Sequence, residues 1–298
     1  MAKWQRFPSP VTNHYFPDAS KPKSNPKTKE KTKKLPLVER TNALSLEEFK
    51  SSYIPPSELR FQKQRRGIAE PGAPALNART DTQANISTNT QDDEYQETIT
   101  KESNSVPYDL SIYTASTIPR PELDLCFKLI EQTSSTAYKD SSISWSPSEK
   151  RKEMKLPDMK YMILRQAETA AGSIPERDRN VQDKASDSDS EKENIAGFMS
   201  FMVTYEDGYE VLYCYEIHLI PEVQGQGLGE VLMEKLEGIG RRIGLEKAML
   251  TVFKSNSRAV KFYTRIGYAE DEFSPRPRRL RNGTVKEADY LILSKSLR

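Results

Sequence analysis

The sequence predicts a mixed α/β domain, one central sheet with helices on both faces, and three observations carry that expectation. Period-2 and period-3.6 apolar patterns succeed one another as strand, helix, helix, three strands, helix, strand, helix, strand. A glycine-rich junction, Pro221-Glu-Val-Gln-Gly-Gln-Gly-Leu-Gly-Glu230, joins a strand to a helix within that series. Polar low-complexity stretches are confined to the front of the chain and to two inserts, so foldable material collects in residues 106–169 and 195–298.

The elements follow in order. Residues 109–115 alternate and read as a strand. Residues 121–138 carry Leu123, Phe127, Ile130 and Ala137 at helical spacing, with a proline at the start. Ser146-Pro-Ser-Glu149 opens a charged helix through Glu153. Residues 161–165 and 195–204 are strand-like, and Asp207-Gly208 turns the second run into a strand over 209–219. In the helix over 230–243, Val231, Leu232, Leu236, Ile239 and Ile243 form one stripe, closed by Gly244. A strand over 247–253, a helix over 256–266 stopped by Gly267, and a strand over 290–293 complete the domain.

Composition bounds the rest. Of 298 residues only 36% are hydrophobic and 30% are charged. With a mean hydropathy of −0.74, the chain is too polar to fold from end to end. Residues 1–34 read as a disordered basic tail, with Lys21, Lys23, Lys27, Lys29, Lys31, Lys33 and Lys34 against a single acid, Glu30. Such a tail suits nuclear import or contact with nucleic acid or the ribosome; a solvated tail is the plain alternative. Residues 35–61 read as a short helical segment docking on the core, with Ser45 and Glu48 spaced as a capping box and Pro55-Pro56 as its stop. Residues 62–105 read as a disordered insert, and 106–298 as the main domain, interrupted by an acidic, serine-rich insert at 170–194. No apolar run spans a bilayer and no secretory leader is visible, so no membrane partner is expected. Two cysteines, Cys126 and Cys214, point to a reducing compartment, and two histidines, His14 and His218, leave no metal cluster. A net charge of +2 gives no global field for DNA.

The glycine-rich junction carries the chemistry. Gln224, Gly227 and Gly229 fit the spacing Gln/Arg-x-x-Gly-x-Gly. Glycines let a backbone approach a ligand, and the first-turn N–H groups with the helix dipole suit a pyrophosphate. The loop lacks the Gly-Lys-Ser/Thr ending of a phosphate-binding P-loop and the spacing of a dinucleotide fingerprint. Read alone, an ordinary strand-to-helix turn stays open.

Together with Asn256-Ser-Arg-Ala-Val-Lys-Phe-Tyr-Thr-Arg-Ile-Gly-Tyr268, the junction resembles the acetyl-CoA-binding motifs of the GNAT N-acetyltransferase superfamily. Val211-Leu-Tyr-Cys-Tyr-Glu-Ile-His-Leu219, Met249-Leu-Thr-Val-Phe-Lys254 and Ser144-Trp-Ser-Pro-Ser-Glu-Lys-Arg-Lys-Glu-Met154 are similar to the N-alpha-acetyltransferase D (NatD) family within it. The resemblance implies a GNAT fold, with a mixed sheet splayed at a β-bulge. It implies an enzyme that uses acetyl-CoA and no metal. Its substrate would be the N-terminal α-amine of histone-four and histone-two-A tails beginning Ser-Gly-Arg-Gly. A monomer in nucleus and cytoplasm is expected.

Site expectations follow from position and resemblance. Gln224, Gly225, Gln226, Gly227, Leu228, Gly229 and Glu230 form the expected phosphate cradle. The backbone of Ile217, His218 and Leu219 should pair with the pantetheine arm, and Asn256 should reach the cofactor or cap its own helix. A free α-amine has a pKa of roughly 7.7–8.0, so a carboxylate is base enough, and Glu216 is the candidate. Strict alternation places Glu216 opposite Tyr213 and Tyr215, so a bulge is needed to re-aim it. A salt-bridged or sheet-edge glutamate is the alternative. Tyr263 is the candidate acid for the departing thiolate, with core packing as its alternative. Tyr138, Trp145, Tyr213, Tyr215 and Tyr290 are candidate pocket walls, Thr251 a candidate hydrogen-bonding partner, and Glu206 and Asp207 candidate partners for the substrate arginine. Thr204 stands where the family's second acid would be. Ser274, a candidate substrate-binding residue, heads a basic loop, Ser274-Pro-Arg-Pro-Arg-Arg-Leu-Arg281, which could steer the acidic cofactor, with a solvated loop as the plainer alternative. Neither cysteine is expected near the thioester with a histidine partner, which argues for direct attack rather than an acetyl-enzyme. An acetyltransferase acting on lysines or small amines, and a non-enzymatic chromatin adaptor, are the competing readings.

Overall fold

Eight strands hydrogen-bond in the order β1-β2-β3-β4-β5-β6-β10-β7. They are β1 (Arg60–Gln64), β2 (Ser105–Thr114), β3 (Lys160–Gln166), β4 (Gly197–Glu206), β5 (Tyr209–Leu219), β6 (Lys247–Phe253), β7 (Ala269–Glu270) and β10 (Tyr290–Ser296). A separate ribbon pairs β8 (Arg278–Arg279) with β9 (Val285–Lys286). The helices are α1 (Leu37–Asn42), α2 (Leu46–Tyr53), α3 (Arg120–Lys139), α4 (Pro147–Glu153), α5 (Leu228–Ile243) and α6 (Ser257–Arg265). This computed structural model describes residues 35–64, 105–167 and 195–298. The expected basic tail, His14, most of the first insert and the acidic insert lie outside the described residues.

Every pairing in the large sheet is antiparallel except β5 with β6. That parallel pair needs a crossover, and α5 supplies it. The hairpin between β4 and β5 turns at Asp207 and Gly208, whose φ values of 47° and 89° suit a tight primed turn. Helix α5 buries Leu232, Leu236, Ile239 and Ile243 on one sheet face, where α1 and α2 also pack. Helix α3 buries Cys126, Phe127, Leu129 and Ile130 on the other. The helices thus lie on both faces of a mixed sheet.

Two differences from the sequence expectation have clear causes. The segment expected as one helix is two, α1 and α2, because Ser45 caps the second: it accepts from the Glu48 N–H while the Glu48 carboxylate accepts from the Ser45 N–H. Strand β1 was expected to be part of a helix and an insert, since its residues alternate Arg, Phe, Gln, Lys, Gln with one apolar side chain. It is an edge strand, and such strands need little apolar content. The minor strands β7, β8 and β9 were too short to register as patterns.

Candidate active site

One extra residue in β5 creates the site. Ser200 pairs with Glu216, but the next residue of β4, Phe201, pairs with Cys214, which leaves Tyr215 as a bulge. Before the bulge, Leu212 and Cys214 face the α5 side, while Val211 and Tyr213 face away. After it, Ile217 and Leu219 take the α5 side and Glu216 and His218 join the face of Tyr213. The bulge demanded by alternation is present, and it puts Glu216 among the tyrosines.

The same point is where the sheet parts. β5 and β6 pair from Val211–Lys247 to Cys214–Leu250 and no further. Beyond it, β5 stays hydrogen-bonded to β4 through Leu219. A cleft of about 740 Å³ occupies the gap, lined by Glu216–Leu219, Leu250–Phe253, the glycine loop and α6. Its polar edge along β5 offers backbone groups free of a strand partner on the β6 side among the described residues.

At one end of the cleft lies the glycine loop. Gly225 and Gly227 have φ of 76° and 82°, a region closed to most side chains. Gly227 caps α5, whose first N–H groups face the cleft with Leu228, Gly229 and Glu230. A methyl on Gly229 would sit 3.4 Å from the Phe262 ring of α6. Gln224 donates to the Leu219 carbonyl at 2.9 Å and lines the cleft. Gln226 turns away, donating to the Glu222 carbonyl, and is not among the lining residues. Across the loop, α6 presents Arg258, Lys261 and Arg265 to the cleft. Sequence reasoning missed this basic row; its signal was the three- and four-residue spacing. Asn256 lines the cleft and also caps α6, accepting from the Ala259 N–H at 3.1 Å.

At the other end is a buried charge cluster. Glu216 Oε1 accepts from Lys150 Nζ at 2.8 Å, and Lys150 Nζ also reaches Glu153 at 2.6 Å and the Tyr138 hydroxyl at 3.0 Å. Glu216 Oε2 lies 2.6 Å from His218 Nε2, and His218 Nδ1 lies 2.6 Å from the Thr133 hydroxyl. Burial pushes the Glu216 pKa up, but Lys150 and the His218 contact outweigh it and hold it down at about 2. Glu216 is therefore ionised and accepts only, so His218 donates from Nε2. Burial opposes the Lys150 charge, yet Glu216 and Glu153 hold the ammonium well above the ordinary lysine range. Burial lifts Glu153 above the usual carboxylate range despite Lys150. Lys150 and Glu153 were missed in the sequence, where they looked like one more charged helix turn.

The remaining expected residues separate into two groups. Tyr138, Tyr213, Tyr215, Thr251 and Tyr263 line the cleft. The Tyr213 hydroxyl and Thr251 Oγ1 are 2.5 Å apart, and the Tyr215 hydroxyl is buried without a hydrogen bond. Burial drives the Tyr263 pKa well up, so its hydroxyl stays protonated. Trp145, Glu206, Asp207, Ser274 and Tyr290 are not lining residues. Trp145 backs Tyr138, with ring centroids 5.5 Å apart. Glu206 sits at the β4–β5 hairpin with a buried, unpaired Oε1, and burial with the Asp207 charge lifts it to about 7. Ser274 is buried and accepts from the Ile292 N–H, so its side chain serves the loop. Tyr290 stands opposite Phe253 across the β6–β10 ladder. Cys214 lines the cleft, which the sequence did not indicate. Its buried thiol is pushed far up in pKa and lies 3.7 Å from the Glu216 carbonyl. Among the described residues no group of histidine, cysteine or acidic side chains could hold a metal ion, and no helix is long and apolar enough to cross a membrane.

Residues 145–268 match the acetyltransferase (GNAT) family, and that span runs from before α4, through the bulge and the glycine loop, to the end of α6. The chain is similar to N-alpha-acetyltransferase 40 of Saccharomyces cerevisiae (strain ATCC 204508 / S288c), 31% identical over 101 residues. That match takes in 28% of this chain and 35% of the yeast protein, so it spans about a third of that relative's length. Among solved structures, spermidine N-acetyltransferase from Vibrio cholerae, in complex with CoA and spermine, is 15% identical with a TM-score of 0.40, covering 63% of this chain and 95% of that one. PaiA N-acetyltransferase from Thermoplasma acidophilum, in complex with coenzyme A, is 14% identical with a TM-score of 0.40, covering 63% and 99%. The ribosomal-protein-S18-alanine N-acetyltransferase from Escherichia coli is 18% identical with a TM-score of 0.36, covering 63% and 94%. The described residues have the GNAT fold, and residues 145–268 are the part that matches the acetyltransferase (GNAT) family.

Proposed function

We propose that this protein is an N-alpha-acetyltransferase of the NatD type. It transfers acetyl from acetyl-CoA to the N-terminal α-amine of histone-four and histone-two-A tails beginning Ser-Gly-Arg-Gly. The observation that carries the reading is the Tyr215 bulge. It sets an ionised, buried carboxylate, Glu216, at the parting of the strands, with the glycine cradle on one side and Tyr138, Tyr213 and Tyr215 on the other. Partial similarity to the yeast N-alpha-acetyltransferase supports an α-amine as acceptor.

In this reading the pyrophosphate rests on the N–H groups opening α5, where helix dipole and glycine backbone favour an anion. Arg258, Lys261 and Arg265 add positive charge on the facing wall. The pantetheine amides pair with the free edge of Ile217–Leu219. The neutral α-amine attacks the thioester carbonyl and forms a C–N bond. Its free pKa of roughly 7.7–8.0 leaves a useful neutral fraction at pH 7–8. Nitrogen becomes strongly acidic as that bond forms, so a carboxylate as weakly basic as Glu216 can then take the proton, directly or through one water. The C–S bond breaks and the thiolate leaves with a proton from the Tyr263 hydroxyl. Cys214 is no rival nucleophile: its thiol stays protonated and His218 Nε2 is engaged by Glu216. Half-buried Glu206, whose Oε1 is buried and unpaired, receives the substrate arginine beside Asp207. With histone tails as the proposed partners, nucleus and cytoplasm are the expected compartments.

Incubation of a Ser-Gly-Arg-Gly peptide with protein and acetyl-CoA, followed by fragmentation mass spectrometry, tests this. Acetyl on the terminal nitrogen is expected. Acetyl confined to internal lysines, or modification of an N-terminally blocked peptide, contradicts it.

A further inference from the structure

Helix α4 is short and highly charged, Pro-Ser-Glu-Lys-Arg-Lys-Glu, yet one of its lysines is among the least exposed charges described. Lys150 is 7% exposed, while its neighbour Lys152 is 73% exposed in its side chain. Ser146 caps the helix, accepting from the Glu149 N–H, and so fixes which face turns inward. The Lys150 ammonium has three donors, and three acceptors meet it: Glu216 Oε1, Glu153 Oε1 and the Tyr138 hydroxyl. A lysine hidden from water and fully shared by two carboxylates and a phenol is costly to bury and gains little for the core. Its placement instead serves Glu216.

We propose that Lys150 is a positioning residue that keeps Glu216 ionised and aimed into the cleft, and that sets the site's net charge to receive a cationic amine. This rests on the acetyl-transfer reading given above. Two carboxylates against one ammonium leave these three groups with about one excess negative charge, and all three line the cleft. Lys150 Nζ donates to one Glu216 oxygen at 2.8 Å and His218 Nε2 to the other at 2.6 Å. The other titratable groups that act on Glu216, or that feel its charge, are Glu153 on α4, Tyr138 on α3, Tyr161 on β3, Cys214 on β5 and Tyr263 on α6. All of these are neutral or negative, so none can replace the ammonium. Without it, a carboxylate in so buried a position takes up a proton at a higher pH.

The test compares full-length wild type, Lys150→Met, Lys150→Arg and the double variant Lys150→Met/Glu153→Gln. The double variant removes the second carboxylate and so protects the fold against like-charge repulsion. For wild type, the acid side of log kcat/KM for the tail peptide should have a slope of one, set by the substrate amine. For Lys150→Met and the double variant it should steepen toward two, with kcat/KM at least tenfold below wild type at pH 6 and within threefold at pH 9. Lys150→Arg should restore the slope of one, and acetyl-CoA affinity by calorimetry should be unchanged throughout. A uniform, pH-independent loss would overturn the proposal and make Lys150 a packing residue only. A second readout needs no turnover: a carboxylate ¹³C resonance assigned by its disappearance in Glu216→Gln. Its protonation midpoint should rise by at least one pH unit in Lys150→Met; an unmoved midpoint overturns the proposal. If wild type fails to acetylate an α-amine while that midpoint still moves, the functional reading fails and the positioning role of Lys150 stands.

Discussion

The two halves of strand β5 differ in almost every physical respect. From Val211 to Cys214 the strand is paired on both sides, and its side chains are buried among apolar neighbours. From Glu216 to Leu219 it is paired on one side only, and its buried side chains are a carboxylate and an imidazole. One unpaired residue, Tyr215, separates them. A single bulge therefore does three things at once. It ends the parallel ladder, opens a cleft and inverts which side chains face it. The first half is core because its backbone is fully satisfied. The second half is free to bind because its backbone is not.

The comparison can be broken most severely at Glu216. Glu216→Gln keeps the shape but removes the charge, and kcat should fall by about 10²–10⁴-fold. Acetyl-CoA affinity by calorimetry should hold, because the cofactor rests on backbone. Equal losses in both would contradict the division. In the paired half, Leu212→Ala should cost about 2–5 kcal/mol in chemical denaturation. The fraction that remains folded should turn over normally, which steady-state kinetics at low temperature would show. A smaller effect is expected at the cradle. Gly227 has a φ of 82°, so Gly227→Ala should cost about 1–2 kcal/mol, read as roughly a tenfold weaker acetyl-CoA affinity with little change in kcat.

The smallest effect sharpens the contrast between two buried lysines. Lys150 meets two carboxylates, whereas Lys160 on β3 meets only the Asn42 side-chain oxygen, the Asp158 carbonyl and the face of Phe49. Burial lowers the Lys160 pKa to about 8. Between about pH 8 and its ordinary value of 10.5 the unfolded chain holds a proton there that the folded chain has released. Stability therefore rises with pH across that window, and the penalty is complete below it. Denaturation midpoints from pH 7.5 to 9.5 should climb in wild type relative to Lys160→Met, by about 1–2 kcal/mol in all. Parallel curves would show that Lys160 carries no such penalty.

Much of this was legible in the sequence because local chemistry and tertiary placement agreed. The stripe of α5, the Asp207-Gly208 turn and the bounds of β6 follow from periodicity and turn residues alone. The glycine loop announced an anion site for the same reason, since positive φ at Gly225 and Gly227 demands glycine. The bulge was legible only as a contradiction: a carboxylate needed in the cleft stood on the wrong side of a strictly alternating strand. What stayed hidden depends on which face of a polar element turns inward. Lys150 and Glu153 look like solvated charges in a helix of seven residues until α4 is packed against the sheet. Cys214 became a cleft residue only because the strands part beside it. Ser274, read as part of a basic ligand loop, is drawn inward by the Ile292 N–H.

The most direct test of the divided strand is hydrogen–deuterium exchange with and without acetyl-CoA. Peptides covering 216–219 and 225–230 should gain protection on binding, while those covering 211–214 should already be protected and stay unchanged. Binding without protection at 216–219 and 225–230 would contradict the account.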